Sequence, residues 1–269
     1  MTQTRHTKPQ TGHLPRKRFG QNFLQDDAII DAIARAIAPR ADEHIVEIGP
    51  GQGALTAALI GSGCRFDAIE LDRDLTTMLL ASFSVYPSFT LHSADALKFD
   101  FRSLPKAQKK LRVVGNLPYN ISTPLIFKLL ADADLFVDMH FMLQLEVVQR
   151  LAAQPGSKHW GRLGIMAQYH CHVSHLFDVP PTAFYPPPKV QSAIVRLTPK
   201  APEDVPACPR EKLARVVQLA FAQRRKTLRN NFKGVFTDEA LESLHIDPSA
   251  RAETLTLDTY VALANAFTE

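Results

Sequence analysis

Three cysteines in 269 residues, Cys64, Cys171 and Cys208, are too few and too scattered for a disulfide framework or a zinc knuckle, which points to a reducing cytoplasm. Long apolar runs are missing as well. None approaches the roughly 20 residues that a membrane helix needs, so a soluble protein with no membrane partner is expected. Acids are absent from the first eighteen residues, which carry Arg5, Lys8, Arg16, Lys17 and Arg18. With no apolar core and no small-residue cleavage site, this stretch does not read as a secretory signal, and a flexible basic arm over 1–18 is expected. The one grouping of metal-binding side chains, His170-Cys171-His172 with His175, does not converge on a strand, where His170 and His172 share a face and Cys171 takes the other. No metal is expected.

The length suits one cofactor-sized α/β domain with a small appendage. Asp26 can cap a helix whose Ile29, Ile30, Ile33, Ala34 and Ile37 recur at helical spacing up to Pro39. Strands and helices then alternate: a strand at 44–48, a glycine turn and helix, a strand ending at Glu70, a helix near 73–83, and strands near 89–92 and 111–115. That spacing implies right-handed crossovers and a mainly parallel sheet with helices on both faces, with ligands at the carboxyl ends of the strands. Ser122 or Thr123 before Pro124 marks a helix start, with Leu125, Ile126, Leu129 and Leu130 as its buried stripe. Segments 139–144, 169–179 and 192–198 read as later strands, the last two as an antiparallel pair. Four prolines between Pro199 and Pro209 mark a linker, beyond which only helical patterns occur. The division expected is the arm at 1–18, a ligand-binding α/β domain at 19–199 and a helical domain at 200–269.

Net charge is only +4, but eight basic residues and one acid fall between Arg210 and Lys233. Such a stretch is either a solvated helix face or a polyanion-binding surface.

Glu47-Ile48-Gly49-Pro50-Gly51-Gln52-Gly53 follows an apolar strand and opens a helix. Glycines there let the backbone turn sharply and approach a ligand closely. The spacing differs from the dinucleotide fingerprint and resembles the first motif of Rossmann-like methyltransferases. Glu70, at the end of the next strand, can accept both hydroxyls of a ribose. Asp95, followed by Ala96 after the third strand, can accept from an adenine amino group.

Asn116-Leu117-Pro118-Tyr119 stands directly after the fourth strand. A chance N-x-P-Y match in a chain of this length arises at roughly one or two per cent on average residue usage. An exocyclic adenine amine is a poor nucleophile because its lone pair is delocalised into the ring. Asn116 Oδ1 and the Leu117 carbonyl can accept its two hydrogens and favour a tetrahedral nitrogen, while Tyr119 can stack on the base. No strong base is required, since the aminium product is acidic. Alignment supplies the rate, and the target must be flipped out or unpaired.

Together these motifs resemble the bacterial 16S ribosomal RNA adenine N6,N6-dimethyltransferase family over nearly the whole chain. Phe19-Gly20-Gln21-Asn22-Phe23-Leu24 is similar to the family's entry segment, and the resemblance implies that Gln21, Asn22 and Leu24 contact S-adenosylmethionine (S-adenosylhomocysteine after transfer), with Glu47, Gly49, Gly51, Glu70, Asp95, Ala96 and Asn116. Phe184-Tyr185-Pro186-Pro187-Pro188-Lys189-Val190 resembles the loop in which an aromatic, here Phe184, packs on the target base opposite Tyr119. Ala220 through Asn231 resembles the family's basic helix. Leu213, Val216, Val217, Ala220 and Phe221 would face inward, and Arg224, Arg225, Lys226, Arg229 and Lys233, with Lys189 and Arg196, would meet RNA phosphates. Trp160 and Gly164 depart from the family's usual Tyr and Ser.

The resemblance implies dimethylation of two adjacent adenosines in the 3′-terminal hairpin loop of 16S rRNA, by a monomer acting on a nearly assembled small subunit. Two alternatives share the pocket or the partner: the large-subunit adenine methyltransferases of macrolide resistance, and an assembly checkpoint factor in which catalysis is secondary. A DNA adenine methyltransferase would need a target-recognition domain for which the chain has no obvious room.

Overall fold

The computed structural model describes residues 21–105 and 109–268. The basic arm expected over 1–18, together with Phe19 and Gly20, lies outside the described residues. In chain order the elements are β1 (Phe23–Leu24), α1 (Asp27–Ile37), β2 (His44–Ile48), α2 (Ala54–Ile60), β3 (Arg65–Glu70), α3 (Arg73–Phe83), β4 (Phe89–Ser93), β5 (Leu111–Asn116), α4 (Ser122–Ala131), β6 (Phe136–Gln144), α5 (Leu145–Leu151), α6 (Arg162–His170), β7 (Cys171–Val179), β8 (Phe184–Tyr185) and β9 (Ser192–Pro199). Four helices follow: α7 (Arg210–Ala220), α8 (Leu228–Asn231), α9 (Asp238–Ser243) and α10 (Leu257–Ala266).

The main sheet has the order β4-β3-β2-β5-β6-β9-β7. The pairs β3–β4, β2–β3, β2–β5 and β5–β6 are parallel, and β9 joins β6 antiparallel. Every residue of β2 is buried, as both faces of a covered parallel sheet require. The strand order reverses between β2 and β5, and at such a point an α/β sheet opens a crevice at its carboxyl edge. A separate two-stranded sheet pairs β1 with β8, Phe23 opposite Tyr185 and Leu24 opposite Phe184.

Helix α1 forms as its sequence dictates. Asp26 accepts the backbone N–H groups of Ala28 and Ile29 at 3.0 and 3.2 Å, and Ile30, Ile33 and Ile37 are buried. Helix α4 begins at Ser122, but Pro124 is its third residue rather than its first, and Ile121 caps it without a side-chain bond. Proline is tolerated there because the first-turn N–H groups have no intrahelical partner.

Two compact units emerge: residues through Val148 with Ser174–Thr198, and Gln149–Val173 with Pro199 onward. Residues 149–173, expected with the first domain, thus group with the C-terminal helices. Trp160 Nε1 donates to the Leu255 carbonyl at 2.8 Å, Tyr169 hydroxyl donates to the Pro206 carbonyl at 3.0 Å, and Lys200 N–H donates to the His170 carbonyl at 2.9 Å. The segment around 169–170 is also helical rather than extended, because α6 runs to His170 before β7 starts at Cys171. The facing of His170 and His172 expected from a strand therefore does not apply.

The two departures from the family pattern are neighbours inside the second unit. Trp160 is 2% exposed, and a Cβ on Gly164 would lie 2.5 Å from the Arg150 carbonyl oxygen and 3.6 Å from the Trp160 ring. Gly164→Ser therefore overpacks this site. We expect it to destabilise the protein by about 1–3 kcal/mol in urea unfolding, because the backbone carbonyl it meets cannot step aside.

Candidate functional site

The crevice at the carboxyl edge contains a cavity of about 360 Å³, wholly within the first unit. Chain geometry at two glycines makes it possible. Gly53 closes the turn after β2 with φ 82°, and a Cβ there would sit 2.6 Å from the Phe83 ring. Gly115 lets β5 run tight against β2, since a Cβ at that position would fall 2.5 Å from the Ile48 carbonyl oxygen. The turn carrying Gly49 and Gly51 is thereby brought beside Asn116.

Glu47, at the end of β2, is 2% exposed and accepts the Thr56 hydroxyl at 2.5 Å. Burial, helped by the nearby charge of Glu70, pushes its pKa up to about 7. Glu70, closing β3, is raised by burial as well, against the N–H groups of Asp72 at 2.8 Å and Gly51 at 3.3 Å that its carboxylate accepts. The same Asp72 takes the Gln21 amide at 3.1 Å, which ties the entry segment to the start of α3. Asp95 folds its own turn by accepting the Leu97 N–H at 2.9 Å.

On the other flank, Asn116 ends β5 and its Nδ2 donates to the Asn22 carbonyl at 3.0 Å. With the amide nitrogen so engaged, Oδ1 has no partner among the described residues and is turned away from Asn22 as a ready acceptor. The Leu117 N–H donates to the Met142 carbonyl at 3.2 Å, holding the Asn-Leu-Pro-Tyr segment onto β6, and the Leu117 side chain is 1% exposed. The Tyr119 hydroxyl bonds Ser192 Oγ on β9 at 2.7 Å, which fixes its ring. Burial raises the Tyr119 pKa, so the phenol stays neutral.

The cavity wall brings together Gln21, Asn22, Leu24, Glu47, Gly49, Gly51, Glu70, Asp95, Ala96, Asn116, Leu117, Pro118 and Tyr119. Phe184 is not among them. Its ring is 4% exposed and packs in the apolar core with Leu24, Ile30 and Met142, because pairing in the β1–β8 ladder turns it inward.

The basic C-terminal stretch also differs from a single helix. Helix α7 stops at Ala220, residues 221–226 form turns, and α8 resumes at Leu228. Leu213, Val216, Val217 and Ala220 are fully buried as expected, whereas Phe221 is only half-buried. Lys189, Arg224, Arg225, Lys226 and Lys233 are exposed, and the Arg224 guanidinium donates to the Lys158 carbonyl. Arg229, expected to be available to phosphate, instead pairs with Asp238 at 2.7 Å.

The cavity is also lined by residues that no motif marks, Gln52, Phe23 and His140 among them. Gln52 lies within the glycine turn, and its Nε2 is buried there with no hydrogen-bond partner among the described residues. Phe23 packs at the mouth as the neighbour of Gly51. His140 sits in a strand of apolar residues, where position alone gives no signal of exposure to a ligand.

Comparison with known proteins agrees with this geometry. A family model described as ribosomal RNA adenine dimethylase matches residues 12–269. The Saccharophagus degradans protein named ribosomal RNA small subunit methyltransferase A is 58% identical over 261 residues, spanning 97% of each chain. Its namesake from Pseudomonas aeruginosa is 59% identical over 257 residues and 96% of each chain. Among solved structures, a dimethyladenosine transferase from Plasmodium falciparum superposes with a TM-score of 0.77 at 27% identity, over 90% of this chain and 95% of that one. The 23S rRNA methyltransferase ErmE shares the fold, with a TM-score of 0.71 at 24% identity over 91% and 98% of the two chains. A match that leaves out only the first eleven residues, with relatives more than half identical over nearly their full length, is decisive: the chain belongs to the ribosomal RNA adenine dimethylase family.

Proposed function

We propose that this protein transfers methyl groups from S-adenosylmethionine to N6 of two adjacent adenosines in the 3′-terminal hairpin loop of 16S rRNA, two to each, during small-subunit assembly. The observation that carries the reading is the orientation of Asn116. Its amide nitrogen is consumed by Asn22, so its oxygen is left to accept a proton of an amine at the carboxyl end of β5. The small-subunit activity is favoured over the large-subunit one because the relatives more than half identical to this chain are small-subunit methyltransferases.

The residues present fit the donor. Glu70 ends β3 and Asp95 follows β4, both lining the cavity beside the glycine turn where a nucleoside would sit, and the Gln52 amide, without a partner among the described residues, offers a donor to a carboxylate or carbonyl oxygen. S-adenosylmethionine, when bound, supplies an electrophilic sulfonium methyl. Asn116 Oδ1 and the Leu117 carbonyl then polarise the target amine, and the ring of Tyr119, steadied by Ser192, carries the flipped base. Burial raises both the Glu47 and the Glu70 carboxyl pKa, Glu47 to about 7, so negative charge beside the glycine turn is disfavoured. The exposed cations Lys189, Arg224, Arg225, Lys226 and Lys233 hold the RNA backbone without reading its sequence. The first unit is thus the donor-binding domain and the second the principal RNA-binding one.

Mass spectrometry of ribosomal RNA after incubation of isolated subunits with labelled S-adenosylmethionine tests the proposal. Dimethyladenosine at two neighbouring positions near the 3′ end of 16S rRNA is expected. Label confined to large subunits, or carried on a pyrimidine or a sugar, overturns it.

A further inference from the structure

His140 lies in the middle of β6, 3% exposed, and forms part of the cavity wall. Neither of its ring nitrogens has a hydrogen-bond partner among the described residues. Asp138, 3.7 Å from Nδ1, is too far for a hydrogen bond and is committed to Arg112, which donates to both of its oxygens at 2.9 Å. An imidazole kept in this state costs about 1–3 kcal/mol for each buried polar atom left unpaired. Sheets tolerate such a cost mainly where a ligand or a water removes it.

Register shows which part of the cavity the ring serves. Asn116 stands opposite Met142, Met142 opposite Ile194, and His140 opposite Val114 and Arg196. Cross-strand partners share a face, so the side chains of Asn116, Met142, His140 and Ile194 project to the same side of the sheet. His140 is two residues before Met142, about 7 Å deeper along the strand. The nucleoside end of the cavity, at Glu70 and Asp95, lies three and four strand ends away across β5, β2, β3 and β4. On this face the cavity wall also carries the apolar side chains of Met142 and Ile194, with Asn116 above them. Burial lowers the His140 pKa to about 4, against the attraction of Asp138 and with the repulsion of Arg112 and Arg196. At neutral pH the ring is therefore uncharged and has one N–H to give.

We propose that His140 determines target specificity, its N–H donating to a ring nitrogen of the adenine whose amine Asn116 holds. A purine flanks its 6-amino group with two such acceptors, N1 and N7. The bond would set the depth of the base beneath Asn116 and reject a base presenting a ring N–H at that point. This rests on the proposed adenine chemistry.

The test uses small subunits reconstituted with 16S rRNA carrying adenosine, 1-deazaadenosine or 7-deazaadenosine at the two target positions. The wild-type chain should lose roughly tenfold in turnover on one of the two analogues, the size of one neutral hydrogen bond. His140→Leu should lose roughly tenfold on adenosine and nothing further on that analogue, with half-saturating S-adenosylmethionine within twofold of wild type. Its melting temperature should equal or exceed the wild-type value, because an unpaired polar ring has become apolar; a purely structural histidine would give the opposite. His140→Gln, which keeps an N–H, should recover part of the rate. Unchanged turnover of His140→Leu, losses that multiply with those of both analogues, or a rate that tracks a lowered melting temperature in both variants would each overturn the inference. Failure of the wild-type chain to methylate unmodified adenosine would instead reject the proposed function.

Discussion

Asn116→Ala should lower the rate of methyl transfer to small subunits by roughly 10²–10³-fold, the loss typical when one preorganised polar group at a reacting centre is removed. The geometry makes the effect twofold. Alanine deletes the oxygen that would accept from the amine, and it releases the Asn22 carbonyl, which Asn116 Nδ2 holds at 3.0 Å. Asn116→Asp separates these contributions. It retains an acceptor but places a carboxylate against the Asn22 carbonyl oxygen, so donor affinity should weaken further than in the alanine variant. Single-turnover assays with saturating donor, paired with calorimetric donor titration, read the two effects independently. An alanine variant with wild-type turnover would remove Asn116 from the chemistry.

The largest effect on stability is expected at the opposite edge of the sheet. Asp67 on β3 is fully buried and sits between His44 on β2, at 2.5 Å, and His92 on β4, at 2.6 Å, both through Nε2. An ionised carboxylate can only accept, so both imidazoles donate from Nε2, and Arg65 adds a weaker contact at 3.3 Å. Asp67→Ala leaves two imidazoles facing a void beneath a sheet. Loss of a buried charged partner costs about 3–5 kcal/mol, which lowers the melting temperature by roughly 10 °C for a protein of this size. The pH dependence has a definite sign. Burial pushes the Asp67 carboxyl upward, but the hydrogen bonds and charges of His44 and His92 outweigh it and hold the folded pKa below 3.8. The unfolded chain takes up the proton first, so this contribution is complete above the ordinary carboxylate pKa and is lost as pH falls from there through the lower folded value. Wild-type stability should therefore decline below about pH 4 more steeply than that of Asp67→Asn. Parallel acid profiles would refute the assignment.

Much of the donor side could be read from residues alone, because its signals are local. The turn Glu47 to Gly53 leaves β2, Glu70 ends β3 and Asp95 comes just after β4, and the alternation of strands and helices places strand ends on a common edge. Asn116 to Tyr119 was legible for the same reason. What could not be read depends on contacts between segments far apart in the chain. Phe184 is turned into the core by pairing with Leu24, 160 positions earlier, and no local pattern encodes that ladder. Arg229 loses its freedom to Asp238 across a turn, and 149–173 join the C-terminal helices through Trp160 and Tyr169. His140 is hidden by its surroundings, since a histidine between Met139 and Phe141 on a buried strand reads as core. The break after Ala220 also escaped notice: residues of adequate helix propensity were diverted there into turns, with Asn231 Nδ2 donating to the Ala220 carbonyl at 2.7 Å.

The short ladder of Phe23–Leu24 against Phe184–Tyr185 joins a strand leaving the donor-side residues Gln21 and Asn22 to the proline-rich loop ahead of Lys189. Two strands of two residues have little stability apart from each other, so ordering either one lowers the entropy still to be lost by the other. On the proposed function, ordering of this ladder by the methyl donor would favour RNA binding at the loop, and linkage makes any such coupling reciprocal.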